Sequence, residues 1–440
     1  LTNATAIGSR ATVAQSNTLV LGSINGINGA TATAKVGIGT NAPALSSALD
    51  ITSSSTGLLI PRMSKAQRNA IVIPANGLLV YQNAPDSVGF YYYNGTTWLW
   101  MATATNVSGW ATTGNAGTDT SVNFIGTTTD MPLRFKVNNQ WNGQFDANGS
   151  NYFIGSNTGR FNTGIVNTAF GSFGLANNTS GSFNTAFGGG AMISNTTGSS
   201  NVAMGNTTMA NHKFGDNNVA VGTNAMNADT ASADNVAIGA FAMFSGKKSN
   251  SNTAVGYSSL ANTGLNSTNA LEGNFNTALG YNSGAAITKG FGNVAVGNNA
   301  LTADSTGSAN IAVGNGAAMS FIGGTGNVAL GYFAMFNAKG SNKIAIGQSA
   351  LSNDTSANGN TAVGNFAMQF NRRGVNNIAM GMAAMFNNVS GSRNVAIGDS
   401  ALKSQNFAVG NGISHFTNNT AVGYKTLFAN QPTSTTDGIN

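Results

Sequence analysis

The 440-residue chain contains no cysteine, and few of its residues carry charge of either sign. Without cysteine it can form no disulfide, Cys-ligated zinc site or thiol nucleophile. Charged residues make up 7% of the chain, against about 25% in soluble domains. His212 and His415 are the two histidines, and Glu272 is the single glutamate. We therefore expect no metal centre, no cofactor and no enzyme, since glycosidase chemistry usually needs paired carboxylates.

Long apolar runs and dense basic runs are also missing. No stretch approaches the roughly 20 apolar residues of a membrane span, so none is expected. The net charge is +6, but the 19 basic residues are scattered over the chain, which argues against nucleic acid as a partner. The chain starts at Leu1 inside a repeat, without an initiator Met or signal peptide, which indicates a processed or partial chain.

A five-residue unit, N-h-A-h-G with h apolar or Thr, recurs between residues 167 and 423. Most copies are 17 residues apart, with one gap of 24 before Gly280 and one gap of 16 before Gly347, and a last unit ends at Gly423, 25 residues after Gly398. Four residues after most of these glycines stands a Met or Leu. A short fixed period predicts a solenoid. Representative repeat residues are Ala203, Gly205, Ala220, Gly222, Ala237, Gly239, Ala254 and Gly256.

Strand alternation places the two h residues on one side of each unit and Ala on the other. We interpret h as filling the interior and Ala as lying where another backbone approaches closely. The predicted fold is all-β, a parallel β-roll of about 16 coils and roughly 75 Å. We expect a homotrimer packed around the Ala-bearing faces. A monomeric β-helix is the alternative.

Charged and aromatic residues follow the same register, counted from each repeat Gly. One interpretation of the bases is a stripe that binds acidic glycans, with Lys247, Lys248, Arg372 and Arg373 as contacts. The favoured interpretation is a ladder of alternating charge between coils, because Asp229, Asp304 and Asp354 interleave with the bases. Aromatic residues at plus five are expected to pack in the core, with an exposed adhesive strip as the alternative: Phe244, Phe336, Phe386 and Phe428.

The first 154 residues show a different organisation. We predict a short roll-like segment (1–45), a small α+β module with a hairpin (46–102), a connecting β-rich segment (103–154) and the repeat roll (155–440). Within the module, Ser64 and Gln67 form a capping box for a helix at 64–71, followed by a strand at 78–82. Asn94-Gly95 predicts a two-residue hairpin turn between aromatic runs. Tyr92 and Trp98 in these runs either stack on sugars or form the module core.

Two family resemblances follow from these motifs. The N-V-A-I-G and N-T-A-V-G units resemble head repeats of trimeric autotransporter adhesins, which form left-handed β-rolls assembled as homotrimers. The segments V-G-I-G-T-N-A-P (36–43), T-G-L-L-I-P-R-M-S-K-A-Q-R-N-A-I (56–71) and G-F-Y-Y-Y-N-G-T-T-W (89–98) resemble bacterial tail-fibre-like surface proteins. That second resemblance implies a trimeric fibre, often ending in an endosialidase-type chaperone, which has no counterpart in this sequence.

Three functions remain in view. The first is an extracellular structural and adhesive trimeric fibre, on a cell surface, virion or injection particle, that contacts an unknown receptor such as a glycan. The second is a monomeric solenoid that binds ice or crystalline polysaccharide through a regular Thr array. The third is a glycan depolymerase on a fibre scaffold. Glu272, in the bulge of the 24-residue gap, is expected to be a solvated loop residue in place of a catalytic acid.

Overall fold

The computed structural model describes residues 1–83, 87–101, 121, 124–355, 357–405 and 415–430. The chain divides into two compact units, Leu1–Ile125 and Gly126–Asn440. Nearly all regular structure in the described residues is β. Trp110 and most of the first half of the predicted connecting segment lie outside the described residues, and the four-part division of the chain stays a prediction.

The first unit contains three small sheets, two of which are parallel strand pairs. Strand β1 pairs with β2 and β3 pairs with β4, while four further strands form one sheet in the order β5-β6-β7-β8. Its elements are β1 (Thr5–Ile7), β2 (Leu19–Leu21), β3 (Val36–Ile38), β4 (Leu49–Ile51), β5 (Arg62–Met63), α1 (Lys65–Asn69), β6 (Leu79–Gln82), β7 (Gly89–Tyr93) and β8 (Trp98–Trp100).

Local signals in this unit are confirmed with one correction. Ser64 caps α1, and the reciprocal bonds with Gln67 form the predicted capping box. Strands β7 and β8 form the predicted hairpin, but Tyr93 pairs with Trp98, so the turn has four residues and not two. The Asn94 side chain explains the longer turn, because its Oδ1 accepts from the backbone N–H groups of residues 96 and 97 at 3.0 and 2.8 Å.

The second unit is a parallel solenoid preceded by an antiparallel pair, β9 and β10, which leads into β11. A short side pair, β25 and β27, stands apart from the main ladder. The strands are β9 (Leu133–Val137), β10 (Gln140–Asp146), β11 (Asn151–Ile154), β12 (Thr168–Phe170), β13 (Thr185–Phe187), β14 (Val202–Met204), β15 (Val219–Val221), β16 (Val236–Ile238), β17 (Thr253–Val255), β18 (Thr277–Leu279), β19 (Val294–Val296), β20 (Ile311–Val313), β21 (Val328–Leu330), β22 (Ile344–Ile346), β23 (Thr361–Val363), β24 (Ile378–Met380), β25 (Gly391–Ser392), β26 (Val395–Ile397), β27 (His415–Phe416) and β28 (Thr420–Val422).

Each repeat unit forms one three-residue strand that stacks in register on the next. Ala203 pairs with Ala220 and Ala220 with Ala237, 17 residues apart. This parallel ladder continues from β11 through β28 and confirms a roll of about 16 coils. The enlarged coil keeps the register, because Ala254 pairs with Ala278 and the extra residues lie outside the strand.

The side that each repeat residue faces is the reverse of the sequence interpretation. Ala203, Ala220 and Ala237 have no exposed surface, whereas the h residues on both sides of them are half-buried or exposed. The predictions that h fills the interior and that Ala faces another copy are therefore wrong. Strand alternation separates Ala from the h residues equally well whichever of the two sides faces inward. The thin coil selects Ala for the interior, where it shares one buried cluster with the Met and Leu residues.

The same reversal affects threonines at the first h position. Thr253 and Thr277 are exposed, so the prediction that h residues fill the interior is wrong for these threonines as well. Val219, Val236 and Val294 occupy the same column in other coils. The threonine array is therefore interrupted along the roll.

The Met or Leu at plus four lies inside the coil, as predicted, in a left-handed backbone conformation. Met226 and Leu351 have φ of 49° in both cases and no exposed surface. This conformation strains β-branched side chains most. The position holds Met or Leu in most coils for that reason, and no coil places Val or Ile there. In the last coil the equivalent Leu427 is 47% exposed, because no later coil covers it within the described residues.

The asparagine that begins each unit forms a buried ladder whose role the sequence interpretation did not assign. Asn235 donates its backbone N–H to Oδ1 of Asn218 at 3.1 Å, and its own Oδ1 accepts the N–H of Asn252 at 2.9 Å. Its Nδ2 donates to the Ser249 carbonyl at 2.8 Å. One amide side chain thus satisfies backbone groups of two adjacent coils. The recurrence of Asn at the first position of each unit is the sequence signal that could have identified this ladder.

Removing the donor from this ladder should destabilise the roll. We expect Asn235→Asp to cost about 3 kcal/mol at neutral pH, because the change leaves the Ser249 carbonyl unpaired and buries a carboxylate beside the Asn218 oxygen. The measurement is the urea midpoint together with amide exchange in the flanking coils. Asn337→Asp, at an exposed position, is the control and should change stability by less than about 0.5 kcal/mol. Equal effects at both positions would contradict the ladder.

The predicted ladder of alternating surface charge is wrong, because the acids at plus seven point inward. Asp229, Asp304 and Asp354 have at most 1% of their surface exposed. Asp229 binds Nδ1 of His212 at 2.8 Å, and Asp354 binds Nζ of Lys343 at 3.1 Å. Burial raises the pKa of Asp304, which is held by backbone N–H groups and an asparagine amide. Most coils place a buried polar side chain at plus seven, whereas Ile287, Phe321 and Ala338 occupy this position in three coils.

The aromatic residues at plus five are not core residues. Phe244 and Phe336 are half-buried and stack edge-on against Phe241 and Phe333 of their own coils, with ring centroids 5.4 and 4.8 Å apart. Phe428 is 38% exposed. The expectation of core packing is therefore wrong: these rings form pairs on the outside of the coil, next to an interior filled mainly by Ala, Met and Leu.

Candidate interaction surfaces

The first candidate surface is the strand face, defined as the outward first and third residues of the roll strands. These residues are mostly Val, Ile, Leu, Met and Phe. The most exposed include Leu279 at 50% and Val422 at 61%. The strands are in register, so the third residues form a continuous apolar column along the roll, including the stacked rings of Phe170 and Phe187, whereas the first-residue column alternates between Val or Ile and Thr. A continuous apolar surface of this length marks an interaction face.

The second candidate surface is the basic edge, the turn positions plus eight and plus nine. Lys247, Lys248, Arg372 and Arg373, the predicted contact residues, are all exposed there. Because the plus-seven acids are buried, they do not neutralise this edge from outside. Asp216 and Asp234 are exposed a few residues further along their coils. The remaining cations of the edge are Lys213, Lys289 and Lys339.

The extra residues of the 24-residue coil overhang the basic edge and form a cleft. The cleft has a volume of about 440 Å³ and is lined by Ala231, Lys248, Asn250 and residues 267–270. Glu272, at the base of the overhang, is not a free acid. The Thr268 N–H holds the pKa of Glu272 below its usual value, with help from the Thr268 hydroxyl and Lys289 at 3.9 Å.

In the first unit, the aromatic cluster packs around a buried arginine. The Arg68 guanidinium lies 4.1 Å from the ring centre of Tyr91 and 5.8 Å from that of Trp98. Trp98 is half-buried and also contacts Tyr93 at 5.4 Å. Of the two predicted contact residues in this cluster, Tyr92 is exposed and Trp98 lies mainly in the packing of the module.

The first unit exposes large apolar side chains to an unusual degree. They lie in β-poor loops on either side of α1, between residues 45 and 73. Charged or polar residues do not cover them within the described part of the unit. The five most exposed in this stretch are Leu45 at 95%, Ile73 at 91%, Val72 at 84%, Leu59 at 72% and Leu58 at 66%.

Comparison with known proteins gives one match. Residues 37–118 match a family described as a phage tail-like trimerisation region. No curated protein matches the chain. No solved structure matches it either. The matched region and the solenoid fold together support a tail-fibre-like structural protein, and the trimerisation region suggests a homotrimer on a virion or surface fibre.

The described residues contain no group of three or more His, Asp or Glu side chains placed to hold a metal ion. No helix of the described chain could cross a membrane.

Proposed function

We propose that this chain is a homotrimeric extracellular fibre that attaches its carrier to a cell surface or surface polymer, and that it acts by binding and not by catalysis. The observation that carries the proposal is the apolar strand face, which runs along the whole roll. The trimerisation region at residues 37–118 supplies the expected number of copies.

The size of the strand face supports contact between copies. One or two partly exposed apolar side chains per coil, over about sixteen coils, sum to on the order of 1,000 Å² or more, whereas a typical monomer exposes patches of about 300–600 Å². A standard protein interface buries about 800 Å² per partner. We therefore place the contact between copies on the strand face, in place of the alanine face that the sequence suggested.

The first unit supports the same assembly independently. Leu58, Leu59, Val72 and Ile73 lie inside the region that matches the trimerisation family and are at least 66% exposed in one copy. Burying a side chain of this kind stabilises an assembly by about 1.5–3 kcal/mol. Their exposure in a single chain is consistent with burial against two further copies.

Attachment is favoured over cleavage by the state of Glu272. A glycosidase acid needs a raised pKa so that it is protonated at neutral pH. Hydrogen bonds hold the pKa of Glu272 below its usual value. The Glu272 carboxylate therefore acts as a hydrogen-bond acceptor within the loop, which favours a binding role over a catalytic role for this part of the roll.

The assembly is tested by solution mass and by one charged substitution on the strand face. We expect light scattering to give about three times 44.5 kDa. Ile311→Lys should lower the thermal midpoint by more than about 5 °C, because it buries a cation from every copy in an apolar interface. Ile322→Lys is the matched control, since Ile322 is exposed to a similar degree, 53% against 40%, but lies on the basic edge.

A mass of 44.5 kDa would contradict the trimer. That result would favour the second candidate, a monomeric solenoid that binds ice or crystalline polysaccharide directly. Equal effects of the two isoleucine substitutions in a trimeric protein would contradict the strand face as the contact.

A further inference from the structure

The inserted loop of the enlarged coil is anchored on both sides to the regular roll. Between Gly256 and Gly280 the coil has 24 residues in place of 17. The Gly264 N–H donates to the Thr288 carbonyl at 2.8 Å, and the Asn250 N–H donates to Oδ1 of Asn274 at 2.7 Å. Residues 265–271 therefore project from a fixed base. They extend over two preceding coils, because Lys248 and Ala231 line the cleft beneath them.

Glu272 fixes the conformation of the loop. Its carboxylate accepts hydrogen bonds from the Thr268 N–H, the Thr268 hydroxyl and Nδ2 of Asn269. Oδ1 of Asn269 in turn accepts the N–H groups of Leu271 and Glu272 at 3.0 and 3.2 Å. The cleft is thus formed before any ligand arrives, which lowers the entropic cost of binding.

The polar groups of the cleft favour an anionic, hydroxyl-rich ligand. Lys248 is exposed and makes no ion pair in the described chain. Oδ1 of Asn250 accepts the Ala233 N–H at 2.8 Å, and its Nδ2 donor has no protein partner among the described residues. The one acid of the loop, Glu272, is already compensated by Lys289 at 3.9 Å. The volume of about 440 Å³ falls in the usual range for small-molecule sites.

We infer that this cleft binds a carboxylate-bearing sugar residue of a surface polysaccharide. In this arrangement the Lys248 ammonium pairs with the sugar carboxylate and Nδ2 of Asn250 donates to a ring oxygen. The hydroxyl oxygens of Ser267 and Thr268, whose protons are engaged within the loop, accept hydrogen bonds from the ring hydroxyls. The remaining cations of the basic edge attract the acidic polymer from a distance. The inference rests on the proposed attachment function and gives that function a ligand class.

The test is titration calorimetry of the full-length protein with a galacturonate tetrasaccharide at about 150 mM salt, where long-range charge is screened beyond about 8 Å. We expect Lys248→Gln to weaken binding at least tenfold. Lys339→Gln, an exposed cation of the same edge outside the cleft, should change the affinity by less than twofold. Maltotetraose, a neutral tetrasaccharide, should bind neither the native protein nor either lysine variant.

A loop deletion gives a second, independent result. Removing residues 265–271 returns the coil to 17 residues. The deletion should abolish galacturonate binding, while the number of copies in the assembly, measured by light scattering, stays that of the intact protein. Three outcomes would overturn the inference: no binding by the native chain, equal losses for both lysine variants, or tighter binding of dextran sulfate that the deletion leaves unchanged.

Cell attachment by the same variants separates this inference from the proposed function. Undiminished attachment by Lys248→Gln in a trimeric fibre would overturn the cleft and leave the fibre standing. A monomeric native protein that attaches to no surface would instead overturn the proposed function.

Discussion

Gly188→Ala is expected to destabilise the second unit by about 4 kcal/mol. Gly188 has a φ of +132°, and an added Cβ would lie 2.6 Å from the carbonyl carbon of Gly205 in the next coil. Such a φ is essentially restricted to glycine and costs other residues about 1–3 kcal/mol, and overpacking against backbone adds about as much. The neighbouring backbone is held in place, because the Gly205 N–H donates to the Phe187 carbonyl at 2.7 Å.

The adjacent Gly189→Ala is the control in the same coil. Gly189 has no positive φ, and its added Cβ would meet only the Asn206 side-chain amide at 3.3 Å. We expect a change of less than about 1 kcal/mol there. Solenoid coils unfold in part independently, so the measurement is amide exchange in the coils around residues 171–205, supported by the thermal midpoint. Similar loss at both glycines would show that the close approach of coils does not limit this position.

Lys343→Met is expected to cost about 3–5 kcal/mol at neutral pH, because it leaves the buried Asp354 carboxylate without its cation. Lys343 occupies the ladder position that holds Asn elsewhere, in the 16-residue coil. Its Nζ lies 3.1 Å from Oδ1 of Asp354, and both side chains are fully buried. Burial lowers the pKa of Lys343 and raises the pKa of Asp354, and the pair opposes both shifts.

The pH dependence of this variant has a definite sign. The pKa of Asp354 is already raised by burial above the ordinary value of 3.8, and loss of the cation raises this pKa further. The folded variant therefore protonates Asp354 at a higher pH than the unfolded chain does, and this protonation relieves part of the lost stability as the pH falls. The cost of Lys343→Met should therefore be largest above the raised pKa and should shrink as the pH falls from 7 towards 4. Urea midpoints of wild type and variant across this range provide the measurement.

The double variant Lys343→Met with Asp354→Asn separates the lost charge partner from lost packing. Asn already occupies the plus-seven column at Asn371 and Asn388, so the second change fits the coil. We expect the double variant to recover to within about 2 kcal/mol of wild type and to lose the pH dependence. A single variant with the same stability at pH 5 and pH 8 would contradict a buried ionised pair.

The sequence by itself determined the solenoid, its period, its strands and the number of its coils. Those features follow from local rules: the fixed spacing of Gly171, Gly188 and Gly205, alternation within each strand, and the capping box at Ser64. The inward direction of the Met and Leu residues was also predictable, because they recur at one position of every coil.

Only the tertiary structure decided which side of each strand faces inward. Alternation in N-V-A-I-G separates Ala237 from its neighbours but leaves the two faces equivalent. The width of a 17-residue coil breaks this symmetry, since its interior accepts Ala opposite Met and excludes a second large side chain. The sequence also misplaced Asp229 and Asp354 on the outside, because their partners are not sequence neighbours. His212 lies 17 residues before Asp229 and meets it only when coils stack, and Lys343 lies 11 residues before Asp354 and meets it only when the coil closes.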